Sequence, residues 1–337
     1  MFLIFGNLTL LALGIFVLIK SGVFVVRALS VMARYLGVSE FTISFVLMAF
    51  ATSLPELAVG VNAALSKSPD LVLGNVIGSN IINLTLVLGL IVAVAGQIKL
   101  KDHEHFTERR IYNFVLIMSP LVLLIDGTLS QIDGIILLSL FAWDMFRVFN
   151  LKEVLNNKKR TPHPSAAEET LEEAVEEFEE TLGHFFKNLA MFIVSTAILV
   201  ASSYAIVWSA ENISIEIGVP ALIIGLFIVG LGTSLPELAF GLRSVKEGTA
   251  DMSVGGLFGS NALNSTLVLG VTALIYPITV TDGILWTGGI FMTVSILAAF
   301  HFLRTKDYLA RQEGLILIVI FVIFIVTELT KTCCKYF

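Results

Sequence analysis

Two glutamates, Glu56 and Glu237, stand in nearly identical apolar surroundings, TSLPELAVG at residues 52–60 and TSLPELAFG at residues 233–241. No lysine or arginine lies within either SLPE core to neutralise them. An ionisable side chain at bilayer mid-depth costs at least ~2.5–3.5 kcal/mol on insertion scales, and such groups mark ion paths or proton relays. Pro55 precedes Glu56; it has no N–H for the carbonyl of Ala51 and pushes that oxygen aside, which predicts free backbone oxygens there. Ala49, Thr52 and Glu56 fall at i, i+3 and i+7, on one helix face. In the next apolar run Ser79 and Asn83 stand at i, i+4, beside Gly74 and Gly78, which allow a neighbour to come close. Gly230, Thr233, Glu237, Ser260 and Asn264 repeat the pattern. Carboxylate, hydroxyl, amide and carbonyl oxygens, with no Cys or His among them, suit a hard cation.

Each residue also has a plainer reading. A Ser or Thr in a membrane helix commonly bonds its own backbone, which would account for Ser53, Ser79, Ser234 or Ser260 taken singly. Asp70 and Asp251 each open a helix after a short turn, where N-capping explains them. Asn83-Leu-Thr85 and Asn264-Ser-Thr266 match a glycosylation pattern but lie inside apolar runs, so they read as false positives. Cys333 and Cys334 are adjacent and are the only cysteines, which excludes a disulfide framework or a cysteine metal cluster. The glutamates resist such a reading: Glu56 lies 16 residues after Glu40 and 11 before Lys67, well inside its run. Glu237 is only 6 residues before Arg243, so its depth rests on the repeat.

The elements that must hold these residues are membrane helices. A 337-residue chain that is 56% hydrophobic and 14% charged, with a mean hydropathy of +0.90, is too apolar for a soluble globule. Apolar runs predict ten spans, near 2–32, 39–66, 69–97, 111–126, 131–150, 186–210, 217–246, 250–277, 282–303 and 312–330. The first run has no basic lead and no evident cleavage site, so it reads as a retained span. With both termini outside, seventeen Lys and Arg fall on the inner side and three on the outer, with Lys20 inside the first span. The expected setting is the cell membrane, with lipid as the surrounding partner, no nucleic acid and no obligate protein partner. Residues 151–185 form an acidic cytoplasmic linker in which Leu171, Val175, Phe178 and Leu182 predict an amphipathic helix. That helix reads as a solvated linker; a cation-sensing arm is disfavoured because the alternating Asp/Asn pattern of an EF-hand is missing.

A shift of 181 residues superposes both SLPE segments, eight of nine positions agreeing, and also superposes GSNIINLTLVLGL (78–90) on GSNALNSTLVLGV (259–271), nine of thirteen agreeing. The chain therefore divides into a five-helix repeat at 1–150, the linker at 151–185 and a second repeat at 186–337. An odd number of spans turns the second copy upside down. The expected fold is an all-α polytopic membrane protein of two inverted repeats, with broken helices meeting at the centre.

At these motifs the sequence resembles the sodium/calcium exchanger family of the cation/calcium antiporters: ATSLPEL then GNVIGSNIIN in the first copy, GTSLPEL then GGLFGSNALN in the second. The resemblance implies Na+-driven Ca2+ movement through four clustered sites, and no other cofactor. Its middle site would use Glu56, Glu237, Asn83 and Asn264. Flanking sites would use the Ala49 carbonyl, Thr52 and Ser79, and the Gly230 carbonyl, Thr233 and Ser260; Ser53 and Ser234 would complete the Na+ shells. Family members often carry aspartate where Asn264 stands, and Asn75 is answered by Gly256. With only two carboxylates, one Ca2+ or two Na+ would balance the site, which leaves the stoichiometry open.

Alternating-access Na+/Ca2+ exchange is the leading reading. A Ca2+/H+ exchanger is its main rival, because a membrane glutamate can carry a proton. A passive cation channel fits inverted pairs of broken helices less well than a gated central site does. An intramembrane enzyme is weaker still, since Ser53 and Ser234 have no nearby His or Lys base.

Overall fold

The computed structural model describes residues 2–35, 40–99, 103–149, 171–246, 248, 250–280, 284–305 and 308–336. Among them the first half holds α1 (Phe2–Tyr35), α2 (Glu40–Leu65), α3 (Pro69–Ile82), α4 (Leu88–Ala95), α5 (His103–Leu123) and α6 (Gln131–Phe149). The second half holds α7 (Leu171–Ile217), α8 (Ala221–Ile224), α9 (Gly230–Thr233), α10 (Leu235–Lys246), α11 (Ala250–Leu263), α12 (Leu269–Ile275), α13 (Ile284–Thr305) and α14 (Arg311–Tyr336). Three π-helical turns, Asn83–Val87, Gly225–Val229 and Asn264–Val268, join α3 to α4, α8 to α9 and α11 to α12 into continuous rods. Six described helices are long and apolar enough to cross a membrane: Ile4–Val25, Pro69–Ala95, Phe185–Ile217, Ala221–Lys246, Ser253–Ile275 and Arg311–Lys331. Ile111–Asp126 and Thr287–Leu303 are shorter apolar helices.

Several expectations need correction. The helix expected over residues 111–126 begins at His103, and the one expected over 186–210 extends from Leu171 to Ile217. An apolar run marks only part of such a helix, because helical hydrogen bonding continues into the polar flanks. At 47 residues, α7 is ~70 Å long, more than twice a bilayer's ~30 Å hydrocarbon layer, so it carries the end of the acidic segment as well as the apolar run that follows it. The expected break at Pro55 is absent, because α2 stays helical through it. The second copy does break, at Ser234 between α9 and α10. Gly230 and Gly232 stand there where the first copy has Ala49 and Ala51, and each Gly lowers helix stability by ~1 kcal/mol. Asp70 is not an N-cap: Ser68 holds that position, its hydroxyl donating to Glu211, and Asp70 lies in the first turn, where the helix dipole favours a negative charge. The chain is also not purely helical, since β1 (Gln97–Lys99), β2 (Thr128–Leu129), β3 (Ile278–Thr279) and β4 (Tyr308–Ala310) form two short antiparallel pairs. Residues 151–170 lie outside the described ones, as do the side chains of Ala49, Thr52, Leu171, Val175, Phe178, Leu182, Asp251, Cys333 and Cys334.

The repeat in sequence is a repeat in contacts. β1 pairs with β4 and β2 with β3; the repeat shift carries β1 onto β3 and β2 onto β4, so it exchanges one pair for the other. The same exchange relates α4 against α14 to α12 against α6. β1 precedes α5 and β2 follows it, so the two pairs lie at opposite ends of that helix. The equivalent helices α1 and α7 pack side by side and run antiparallel, with Gly14 against Ile206 and Gly22 against Leu199.

The core of the bundle is α3 from one copy against α8 and its following π turn from the other. Glycines permit that approach. A Cβ at Gly78 would fall 2.8 Å from Leu226 Cα and 2.9 Å from its carbonyl carbon, and one at Gly225 would fall 3.0 Å from the Asn75 nitrogen. Where lipid is as apolar as the side chains, such backbone packing is the main attraction between helices. Gly78→Ala should therefore destabilise the detergent-solubilised protein by about 1–3 kcal/mol, the usual cost of overpacking. Gly6→Ala, whose added Cβ would meet no atom within 4 Å, should not lower the melting temperature.

Candidate cation site

Where α2 and α3 of the first half meet α8 to α11 of the second, the bundle buries an unusual density of polar groups. Glu56 is 0% exposed and Glu237 4% exposed. Asn75, Ser79, Asn80, Asn83, Thr233, Ser260, Asn261 and Asn264 are each 0% exposed, with Ser53 and Ser234 at 1–2%. The two glutamates come from the two copies, on α2 and α10.

Cross-copy hydrogen bonds join most of these groups. Ser260 Oγ donates to Glu237 Oε1 at 2.9 Å and lies 3.2 Å from Ser53 Oγ. On the other side Ser79 Oγ is 3.1 Å from Thr233 Oγ1 and 3.4 Å from the Gly230 carbonyl. Thr233 Oγ1 also reaches Asn75 Oδ1 at 3.3 Å and the Gly230 carbonyl at 3.3 Å. Ser53, Ser79 and Ser260 thus bond across the seam between copies, so the plain reading of each as bonding its own helix does not hold. Ser234 Oγ has no partner.

Most of the remaining atoms are acceptors, with Asn75 Nδ2 a donor left unpaired. Both carboxylate oxygens of Glu56 are buried without a hydrogen bond, as are Asn83 Oδ1 and Asn264 Oδ1. The Thr233 and Ser79 hydroxyls and the Glu237 carboxylate are the groups around Glu56. Burying a carboxylate with no partner costs several kcal/mol, which a cation among these oxygens would offset. No group of three or more His, Cys, Asp or Glu occurs among the described residues.

The structure brings Ser79, Gly230 and Thr233 together, Ser53 and Ser260 together with Glu237, and Asn83 and Asn264 against Asn261 and Asn80, with Glu56 and Ser234 buried in the same bundle. The Ala49 and Thr52 side chains are outside what is described. Sequence reasoning missed Asn80 and Asn261, which sit inside the repeated GSN motif and bond across the copies. It also missed the π turns that begin at Asn83 and Asn264. Their signal was the Asn-x-Thr pair that reads as a false glycosylation site. Thr85 and Thr266 each donate to the carbonyl four residues back, Ile81 and Ala262, a contact that bends helices. π turns commonly mark functional sites.

Known proteins share this architecture. The family model described as "sodium/calcium exchanger protein" matches residues 6–149 and 187–330. The inner membrane protein YrbG of Escherichia coli K12 is 31% identical over 271 residues, covering 80% of this chain and 79% of that protein. The sodium/calcium exchanger MaX1 of Methanosarcina acetivorans is 30% identical, covering 95% of this chain and 97% of that one. Among solved structures the H+/Ca2+ exchanger CAX superposes with a TM-score of 0.72 at 18% identity, covering 96% of this chain and 82% of that one. The sodium-calcium exchanger NCX_Mj gives 0.61 at 23% identity, covering 95% and 97%. At those identities the two structures establish the shared fold.

A cation bound by Glu56 should stabilise the folded chain, by ~2.7 kcal/mol at a hundred times its dissociation constant. Adding Ca2+ to the purified protein should raise its melting temperature, and Glu56→Gln should abolish that rise while leaving the ion-free protein folded. An equal Ca2+-induced shift in the variant would remove Glu56 from the site.

Proposed function

The chain belongs to the sodium/calcium exchanger family, and from that premise we propose that it is an alternating-access antiporter exchanging Na+ for Ca2+ across the membrane. It is a membrane transporter of the cation/Ca2+ antiport class. The observation that carries the finer reading is the pair of buried glutamates, one from each copy, beside amide oxygens that no donor satisfies. One Ca2+ or two Na+ would balance those two carboxylates, so the ions compete for the same oxygens. Competition at a shared site is what antiport requires.

The ten-span inverted plan is part of this proposal, with domains at 1–150, 151–185 and 186–337, both termini outside and the acidic linker in the cytoplasm. It is supported by the antiparallel run of the equivalent helices α1 and α7, and by the placement of β1 and its equivalent β3 at opposite ends of α5. In such an inverted pair, tilting one set of helices against the other opens the shared site to alternate sides. Each glutamate would contribute charge to the middle site, with Asn83 and Asn264 giving neutral oxygens. Ser79, Thr233, Ser260 and the Gly230 carbonyl would hold flanking ions, with Ala49, Thr52, Ser53 and Ser234 completing the shells.

H+ coupling is the second reading, favoured by one feature: Glu56 is a fully buried carboxylate, which a proton could neutralise as a cation would. Flux separates the two. In vesicles an outward Na+ gradient should drive Ca2+ uptake, which should stop when the gradient is dissipated. Equal uptake driven by a pH gradient without Na+ would assign the coupling to protons. Glu237→Gln should abolish exchange as fully as Glu56→Gln, since each removes half the site's charge. Asn264→Asp should be tolerated and Asn264→Leu should impair transport; robust exchange by either glutamine variant would refute the two-carboxylate site.

A further inference from the structure

We propose that Asn80 and Asn261 are positioning residues that fix which end of the Asn264 and Asn83 amides faces the transported cation; the inference rests on the exchange site proposed above. An asparagine offers a carbonyl oxygen at one end and two N–H donors at the other. Only the oxygen can bind Na+ or Ca2+. An amide turned the wrong way would present donors to the ion and repel it.

Two relays of hydrogen bonds decide the orientation, and each ends on a backbone carbonyl, which can only accept. In the first, Asn261 Nδ2 donates to the Asn80 carbonyl at 3.0 Å, so the Oδ1 end of Asn261 must face Asn83. Asn83 then donates its Nδ2 to Asn261 Oδ1 at 3.0 Å, which leaves Asn83 Oδ1 unclaimed. In the second, Ser265 Oγ donates to the Ile117 carbonyl at 3.1 Å, so its hydroxyl proton is committed and it must accept from Asn80 Nδ2, at 2.9 Å. Asn80 therefore turns Oδ1 toward Asn264, whose Nδ2 donates to it at 3.4 Å, leaving Asn264 Oδ1 unclaimed. The repeat shift carries Asn80 onto Asn261 and Asn83 onto Asn264, so the two locking bonds are equivalents. Their anchors are not: Ser265 answers Leu84 in the first copy. Each copy thus orients the other's ligand amide, and all the residues involved lie fully buried, out of reach of water.

The relay makes a chemical distinction that simple packing would not. Asn80 must present an acceptor to position 264, and position 264 must return a donor. Asn80→Leu takes that acceptor away and lets the Asn264 amide turn its donors toward the ion. Asn264→Asp carries an oxygen at both ends of the side chain, so in that background the loss of Asn80 no longer matters.

Reconstituted vesicles would give Ca2+ KM and kcat for wild type, Asn80→Leu, Asn264→Asp and the double variant. Asn80→Leu should raise KM about tenfold over wild type with kcat little changed, the loss expected when one buried hydrogen bond is removed. Added to Asn264→Asp it should change KM by less than about threefold, so that the double falls short of the product of the singles by a coupling of the size seen between contacting groups. Asn80→Ala, which removes the same acceptor without added bulk, gives the same comparison if Asn80→Leu does not insert. A double variant equal to the product of its singles overturns the locking role. If that occurs while wild type exchanges Ca2+ and Glu56→Gln does not, the exchange site stands without the lock; wild-type vesicles with no Ca2+ exchange would overturn both.

Discussion

Oxygen acceptors buried without donors are the constraint on which the rest of this protein turns. Glu56, Asn83 and Asn264 carry such oxygens deep in a bundle that is otherwise lined by aliphatic side chains. Desolvating a carboxylate costs more than any single hydrogen bond returns, so the folded chain holds free energy that a cation of the right size and charge can recover. In the exchange proposed above, that recovery would link the release of one cation to the arrival of the other.

Holding the cluster in place falls to packing between the two copies. α3 lies against α8 and its π turn because Gly74, Gly78 and Gly225 remove the side chains that would separate them. That approach brings Ser79 to Thr233 and Gly230, and the packing of α2 on α11 brings Ser53 to Ser260. The symmetry is imperfect. Ser234 interrupts the helix before α10 for one residue, while α2 runs through its proline.

Much of this was legible in the sequence, for identifiable reasons. A carboxylate beside a proline in an apolar run is costly enough to stand out, and its recurrence 181 residues later located both halves of the site. Helix positions followed from apolar runs, so they failed where helices continue into charged sequence, at His103 and Leu171. The π turns at Asn83 and Asn264 escaped because the bonds of Thr85 and Thr266 to the carbonyl four residues back leave no trace in hydropathy. Asn80 and Asn261 escaped because a positioning residue is recognised by its partner, and the partner lies in the other copy.

The central claim is that Ca2+ sits among the oxygens contributed by Glu56, Glu237, Asn83 and Asn264 and is displaced there by Na+. Anomalous diffraction from crystals soaked in Sr2+ as a heavier stand-in for Ca2+, across a series of rising Na+ concentrations, tests it most directly. The account predicts one strong peak bounded by those four residues that fades as Na+ rises. A peak lodged elsewhere in the bundle, or one indifferent to Na+, would contradict it.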